Sequence, residues 1–380
     1  MASGFSLADQ LFNADKVSGL AARFAAADPS FDAPGFCADV TRRLTDLELK
    51  ARMSWIAECL TARLPGTLAG AAPILRAALP PPLDPTLSDD DFGDFIYAPL
   101  GEVVGTLGLE EADADLALDL LCDITQRFSM EWAIRPFLIR HSDLTLARLA
   151  DWAGHPNYHV RRLVSEGTRP RLPWGQSVGL PVETALPLLD ALHADPTRYV
   201  TRSVANHLGD VAKVEERLVH DRLDRWQAAA AQTPAELKWM TAHALRVPVK
   251  NGSPAALARL GFDPDLALDC TLAVTPATLP IGAAAEVSVT LQSPTGGPAL
   301  VDYAITFAPA APGGKPRRKV FKLKQVTLKP GKPQTLIKRH SFKGNATTFR
   351  LHPGPAEITV QINGRPRASA AFDLTASAGA

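Results

Sequence analysis

The 380-residue sequence lacks the cysteine patterns and long apolar runs that mark several protein classes. Its four cysteines, at positions 37, 59, 122 and 270, are 22, 63 and 148 positions apart, so no pair has the short spacing of a zinc or redox site. No apolar run approaches about 18 residues, and the first residues have no basic segment followed by an apolar one, which argues against a membrane span and a signal peptide. The sequence therefore predicts a cytoplasmic protein with reduced thiols and no metal site.

Common catalytic motifs are also absent from the sequence. It has no Walker A loop, no GxGxxG after a strand, no HExxH, and no GxSxG in a strand–turn–helix context. These absences leave no support for P-loop, dinucleotide-binding, zincin or α/β-hydrolase chemistry. No cofactor is expected.

The formal net charge is zero, which taken alone argues against a nucleic-acid partner. The charges are segregated, however. Residues 1–125 hold 8 Lys and Arg against 20 Asp and Glu (8 − 20 = −12), whereas residues 126–175 hold 8 against 4 (+4) and residues 263–380 hold 14 against 7 (+7). A polyanion would therefore be expected to bind the middle and the C-terminal part of the chain.

The first two thirds of the chain have helical patterns. Apolar residues recur three and four apart from about residue 6 onwards, and HPNYHVRRLVSEG (155–167) aligns with DPTRYVTRSVANH (195–207) at an offset of 40. A period near 40 with two helices per unit is typical of HEAT-like arrays, whose units stack into a curved solenoid with a concave binding surface. The sequence predicts such a solenoid, a mostly α fold, over residues 1–262.

Beyond residue 262 the pattern changes to short alternating runs separated by Pro and Gly turns every 8 to 12 residues. Seven or eight such strands predict an immunoglobulin-like all-β sandwich domain over residues 263–375, followed by a short disordered tail at 376–380. Basic residues are frequent in its strands. Either they protect an edge strand, or they contact DNA.

The stretch from Phe128 to Trp174 mixes charge and aromatics as no other part of the chain does, with three tryptophans among arginines and only two glutamates. Helical spacing places Glu131 four residues from Arg135, and Arg162 four residues from Glu166. These pairs are either simple surface ion pairs or part of a surface suited to a polyanion with a flat, cationic base.

The segments FSMEWAIRPFLIRH and HPNYHVRRLVSEGTRPRLPW resemble the signature of bacterial AlkC-type DNA alkylation-repair glycosylases, relatives of the AlkD type. The resemblance is strongest over roughly residues 123–261. It implies hydrolysis of the N-glycosidic bond of cationic bases, 3-methyladenine and 3-methylcytosine, in duplex DNA without base flipping. It further implies that Glu131 and Glu166 stabilise the developing charge and position water, and that Trp174 is an aromatic plate. Trp132 and Trp152 are interpreted as core anchors.

The expected partner is alkylated double-stranded DNA, bound by a monomer in the bacterial cytoplasm near the nucleoid. The acidic run Asp89–Asp91, in a proline-rich loop, is expected to be a solvated surface facing away from the DNA. Two alternatives stay open: a catalytically silent DNA-binding paralogue, and a HEAT scaffold for protein partners. The candidate DNA contacts are Arg135, His155, Asn157, Tyr158, His159, Arg162, Arg169, Arg171, Arg202, Arg317, Arg318 and Lys319.

Overall fold

A computed structural model of the protein describes residues 6–87, 89, 91–310, 313–344 and 350–377. The chain forms two compact units, Met1–Ala244 and Leu245–Ala380. The first unit is helical, and the second contains all the strands of the described residues. None of the helices in this described part of the chain is both long and apolar enough to span a membrane.

The helical unit consists of short helices joined by tight turns. Between its helices lie two 3₁₀ turns, Phe95–Tyr97 and Glu111–Asp113. The α-helices are α1 Leu7–Leu11, α2 Ala14–Ala27, α3 Ala33–Leu44, α4 Leu49–Thr61, α5 Leu68–Ala78, α6 Ala98–Gly108, α7 Ala114–Thr125, α8 Arg135–Arg140, α9 Ser142–Trp152, α10 Tyr158–Gly167, α11 Leu186–Leu192, α12 Arg198–Val211, α13 Glu216–Ala229 and α14 Pro234–Ala244.

Local sequence explains where the helices begin and which face they bury. The Asn13 side chain accepts a hydrogen bond from the Lys16 amide and caps α2, which buries Val17, Leu20, Ala21 and Phe24 along one stripe. Such a stripe needs a neighbouring helix to cover it. The helices therefore pack on one another, for example α2 against α3 and α5, and α4 against α6.

The internal repeat predicted at an offset of 40 is confirmed. Helices α10 and α12 begin at Tyr158 and Arg198, 40 residues apart, and they pack against each other. Both are buried over most of their length, so the polar residues on them must find partners inside the protein. The predicted order of a HEAT-like helical region followed by a β domain is confirmed as well.

The acidic loop between α5 and α6 does not lie where the sequence suggested. The Asp89 carboxylate forms an ion pair with the Arg202 guanidinium on α12, and the Phe92 ring packs edge-on against Tyr199 of the same helix. Asp90 lies outside the described residues. The expectation of a solvated surface facing away from the binding residues is wrong, because a helix rich in arginine and aromatic side chains offers the loop better partners than water does.

The second unit begins with two short helices, α15 Arg246–Lys250 and α16 Pro254–Arg259. Leu257 of α16 packs with Phe262 and with Leu300 in the β-sheet. Residues 245–262 are thus grouped with the strands, although the sequence places the domain boundary after residue 262, and that boundary stays a prediction. The last three residues of the predicted tail, 378–380, lie outside the described residues.

The strands form two sheets of the order β1-β3-β6 and β2-β8-β7-β4-β5. Neighbours are antiparallel except β2 and β8. Alternate residues of β3, from Ala285 to Leu291, are buried in a core shared with β4 and β7, as expected of a sandwich. The strands are β1 Asp269–Thr275, β2 Thr278–Pro280, β3 Ala284–Gln292, β4 Gly297–Phe307, β5 Arg317–Leu328, β6 Gln334–Ser341, β7 Gly354–Ile362 and β8 Arg365–Thr375.

Candidate active site

Two glutamates from consecutive helical units converge on one guanidinium group. The Arg162 Nη1 atom lies 2.9 Å from Oε2 of Glu131, and its Nη2 atom lies 3.7 Å from Oε2 of Glu166. Ser129 links the same groups, because its hydroxyl donates to Glu131 and accepts from Arg162. The two predicted catalytic acids are therefore neighbours in space, although 35 positions separate them in the sequence.

Beyond Glu166, the line of charges continues into α12. Arg169 Nη1 donates to Glu166 Oε1 at 2.6 Å, and Arg169 also pairs with Asp210 at 2.9 Å. The Lys213 ammonium lies 2.8 Å from the other Asp210 oxygen. Glu131, Glu166 and Asp210 thus alternate with Arg162, Arg169 and Lys213, three acids with three cations, and the cluster as a whole is neutral.

Glu166 is held in its ionised form. Burial alone would favour the neutral acid, but the guanidinium groups of Arg162 and Arg169 and the Ser203 hydroxyl outweigh it and hold the pKa of Glu166 below its ordinary value. In turn, the carboxylates of Glu166 and Glu131 raise the pKa of Arg162, although burial alone would lower it. The carboxylate is therefore a fixed negative charge at neutral pH.

The two acids differ in accessibility. The side chain of Glu131 is 14% exposed, and that of Glu166 is 6% exposed. Glu131 follows a loop and lies in a turn before α8, whereas Glu166 is enclosed between α10 and α12. Glu131 is therefore the more accessible of the two carboxylates.

Trp174 lines a pocket together with Ser129, whose hydroxyl bonds to Glu131 and Arg162. Its side chain is an exposed large hydrophobic group, at 60% relative exposure, and its backbone has a φ of 62°, a left-handed conformation that costs energy for a bulky residue. The loop is held from both sides, since Lys50 Nζ donates to the Trp174 carbonyl at 2.8 Å and Trp132 Nε1 donates to the Pro173 carbonyl at 3.2 Å. The backbone that carries this exposed aromatic ring is thus held by two hydrogen bonds.

Arg135 has a structural role instead of the predicted DNA contact. Its side chain is among the largest fully buried groups, at 1% exposure. Its Nε atom donates to the Gln176 carbonyl at 2.6 Å, and its Nη1 atom donates to the carbonyls of Gly167 and Arg169 at 2.8 and 3.0 Å. The prediction of a phosphate contact is wrong here, because the guanidinium group ties the end of α10 to the Trp174 loop.

The turn before α10 is also less available than predicted. Asn157 caps the helix by accepting from the His159 amide at 2.8 Å, and Tyr158 and His159 are buried against Tyr199. Burial lowers the pKa of His159 to about 4, so that its ring is neutral at physiological pH. These three side chains are corrected to packing and capping roles, and only His155, half-buried, remains near the surface.

The remaining predicted DNA contacts differ in accessibility. Arg171 is exposed, while Arg162, Arg169 and Arg202 are bound in ion pairs with acids of the protein. Arg317, Arg318 and Lys319 begin β5, an edge strand of the larger sheet, where positive side chains also serve to prevent edge-to-edge association. Their contact with DNA stays a prediction.

The simpler interpretation of the glutamates as helical ion pairs holds for only one of them. Arg162 and Glu166 do lie four apart on α10 and approach within 3.7 Å. The Glu131 carboxylate instead pairs with Arg162 of the next unit, because Arg135 is turned inward to backbone carbonyls. Trp152 is buried as expected, whereas Trp132 is partly exposed and supports the Trp174 loop.

Sequence reasoning missed the polar face of α12. Ser203 donates to Glu166 Oε2 at 2.6 Å, His207 bonds to the Ser165 carbonyl at 3.0 Å, and Asp210 holds Arg169. All three are buried. Their spacing of four and three positions is that of a helix stripe normally filled by apolar residues, and this pattern was the available signal.

His207 is expected to make the folded protein sensitive to acid. The residue is 0% exposed, and burial lowers the pKa of its imidazole to about 4. The unfolded chain takes up this proton near pH 6.5, so stability contributed by neutral His207 is present above that pH and is lost as the pH falls towards 4. We expect about 2 kcal/mol of this loss between pH 7 and pH 5, measured as the free energy of urea unfolding.

The His207→Asn variant, whose amide can still donate to the Ser165 carbonyl, should lack about 2 kcal/mol of that pH dependence. The control variant is His352→Gln in the β unit, which should leave the pH dependence of the unfolding free energy unchanged. An equal pH dependence in His207→Asn and wild type would contradict the assignment.

Comparisons with known proteins support the fold. A family model described as "Uncharacterised protein YhaZ, C-terminal Ig-like domain" matches residues 269–376, which confirms the immunoglobulin-like prediction. The chain is 32% identical over 372 residues to the protein YhaZ of Bacillus subtilis (strain 168), with 96% of this chain and 98% of that protein covered. The solved structure of the alkylpurine DNA glycosylase AlkC of Pseudomonas fluorescens, bound to DNA containing an abasic site analogue, matches with a TM-score of 0.85 at 32% identity, covering 98% of this chain and 100% of that one.

Proposed function

Since this chain belongs to the AlkC-type family, we propose that it is a DNA glycosylase that removes alkylated bases from duplex DNA. The bond broken is the N-glycosidic bond between the base and deoxyribose. The product is an abasic site, which is the first intermediate of base excision repair. No cofactor takes part in this proposal.

The observation that carries the proposal is the convergence of Glu131 and Glu166 on Arg162, together with the exposed Trp174, which lines one pocket with Ser129 of the same cluster. A site of this kind offers a partly exposed carboxylate, Glu131, joined through Arg162 to the buried and ionised Glu166, and an aromatic surface for a ligand to contact. A scaffold for protein partners would have no need for buried acids held ionised by guanidinium groups. The arrangement favours an enzyme over that alternative.

The chemistry requires little from general acid catalysis. A base alkylated at a ring nitrogen is already cationic, so the glycosidic electron pair passes to it as the bond breaks and the base leaves neutral. Positive charge then develops on the sugar, and the Glu131 carboxylate, backed by Glu166, stabilises that charge electrostatically. Water adds to the anomeric carbon, and its proton passes to a carboxylate or to solvent.

The substrates that we propose are 3-methyladenine and 3-methylcytosine. Both carry the positive charge that this mechanism needs. The exposed position of Trp174 suits contact with a nucleotide at the surface of the protein, without extrusion of the base into an enclosed pocket. We propose Trp174 as the residue that contacts the damaged nucleotide.

The DNA backbone is proposed to contact basic residues of both units. On the helical unit, Arg171 is exposed, and Arg162, Arg169 and Arg202 would have to share their guanidinium groups between a phosphate and the acids they now bind. His155 remains half-buried at the turn before α10. On the β unit we propose Arg317, Arg318 and Lys319, of which the first two are exposed.

The experiment that tests the proposal measures free base. We expect the full chain to release 3-methyladenine or 3-methylcytosine from duplex DNA treated with a methylating agent, detected chromatographically, and to release none from untreated DNA. The same protein should bind duplex DNA with an affinity that falls as salt rises. Binding without release would favour a silent paralogue, and salt-independent or absent binding would favour a protein scaffold.

A further inference from the structure

A pocket of about 380 Å³ lies directly beside the candidate active site, within the helical unit. It opens between α4, α6 and the turn before α8, and its lining includes Ser129 and Trp174. Ser129 also bonds to Glu131 and Arg162. The pocket and the charge cluster therefore share a wall, and the proposed mechanism leaves the pocket without a use.

The lining of the pocket is mostly apolar and aromatic. Trp132 and Trp174 contribute indole rings, and Met53 and Met130 contribute thioether side chains. Such surfaces bind flat ring systems by stacking and by sulfur–aromatic contact. The volume falls in the range of small-molecule sites.

The charged groups of the pocket are one acidic side chain, Glu102, and one basic side chain, Lys50. The Ser54 hydroxyl donates a hydrogen bond to Oε1 of Glu102 at 3.2 Å. Among the described residues, no other side chain bonds to this carboxylate. Its Oε2 atom can therefore accept a hydrogen bond from a ligand. Partial burial raises the pKa of Glu102 above its ordinary value, and the Ser54 hydroxyl and the Lys50 ammonium only partly oppose this effect. With the Lys50 ammonium in the same lining, the pocket is close to neutral overall, which suits a neutral ligand with N–H donors better than a phosphate.

We propose that this pocket binds the free heterocyclic base that the reaction releases, an alkylated purine in its neutral form. Cleavage leaves the glycosidic electron pair on the base, which converts a cation into a neutral, flat ring with amino hydrogens. The base is then no longer attracted to Glu131, and the adjoining aromatic walls and the Glu102 carboxylate match its new chemistry. This inference rests on the proposed function for the identity of the ligand, although binding is measurable without catalysis.

Gly105 offers a way to fill the pocket without disturbing the fold. It lines the cavity on α6, and a Cβ atom built on it meets no heavy atom within 4 Å. Leucine at this position would project into open space and would also favour the helix. Gly101, one turn earlier, is unsuitable, because its Cβ would lie 2.6 Å from Ala133.

The test is titration of the full chain with free 3-methyladenine in the absence of DNA, followed by calorimetry and by tryptophan fluorescence. We expect saturable binding with a dissociation constant on the order of 1 mM, as is usual for so small a ligand. Gly105→Leu should weaken binding at least about tenfold, and Glu102→Gln should weaken it about tenfold. Gly19→Leu, on α2 and also with no atom within 4 Å, is the matched control and should bind as wild type does.

Two outcomes overturn the proposal: no saturable binding by wild type, or equal binding by wild type and Gly105→Leu when both melt cooperatively. Base release from methylated DNA, measured in parallel, tests the proposed function separately. Release of base from DNA without binding of free base would contradict only the proposed role of the pocket. Binding that is lost in Gly105→Leu, with no release of base from DNA, would contradict the glycosylase function but would still support a binding site for heterocycles.

Discussion

Replacement of Glu166 by glutamine should slow the release of alkylated base by about 100-fold to 1000-fold, the loss usual when one preorganised electrostatic group is removed. Glutamine keeps the volume and can still accept from the Ser203 hydroxyl. It removes the negative charge that balances Arg162 and Arg169, so the six-group cluster changes from neutral to positive. A positive cluster opposes the positive charge that develops on the sugar.

The measurement is a single-turnover rate with enzyme in excess over methylated duplex, which separates chemistry from product release. Glu183→Gln, an exposed glutamate in the same unit, should be unaffected. Glu131→Gln should be slowed comparably while perturbing the fold less, because Glu131 is the more accessible acid. A Glu166→Gln rate within threefold of wild type, in protein with an unchanged circular dichroism spectrum, would rule out the proposed role.

Replacement of Arg135 by methionine should destabilise the helical unit by about 3 to 5 kcal/mol. The guanidinium group satisfies the carbonyls of Gly167, Arg169 and Gln176, and an unsatisfied buried carbonyl costs about 1 to 3 kcal/mol. Methionine fills much of the space but donates no hydrogen bond. The free energy of urea unfolding measures the effect.

Arg140→Met provides the control from the same helix. Arg140 is 49% exposed on its side chain and pairs with an exposed Glu110, so its loss should cost less than about 1 kcal/mol. Equal stability of the Arg135→Met and Arg140→Met proteins would show that the buried hydrogen bonds are replaced by other donors. Arg135→Met should also slow base release, because the loop that presents Trp174 loses one of its supports.

The sequence was sufficient for features that depend on local pattern. The offset of 40 located the beginnings of α10 and α12, and alternating runs after residue 262 predicted the strands, because helix stripes and pleats repeat in the order of the chain. The resemblance in the two signature segments selected Glu131 and Glu166, which the structure brings to one guanidinium group, and Trp174, which lines a pocket together with Ser129 of that cluster.

The predictions that the structure contradicts concern residues whose partners are distant in the chain. Its spacing predicts that Arg135 faces Glu131, yet the hydrogen-bond partners of Arg135 lie 32 to 41 positions away. Asp89 pairs with Arg202 across 113 positions. Spacing along one helix shows which residues share a face, but it does not show what the next unit places opposite that face.

The hydrogen bond from Lys50 to the Trp174 carbonyl joins α4 to a loop 124 positions later. The acids lie wholly in the middle of the helical unit, so a shortened protein starting after Thr61 would keep both of them. It would nevertheless lose the ammonium group that restrains the backbone of Trp174. The early helices, which have an excess of negative charge and none of the proposed catalytic groups, therefore contribute one of the hydrogen bonds that hold the loop of that indole.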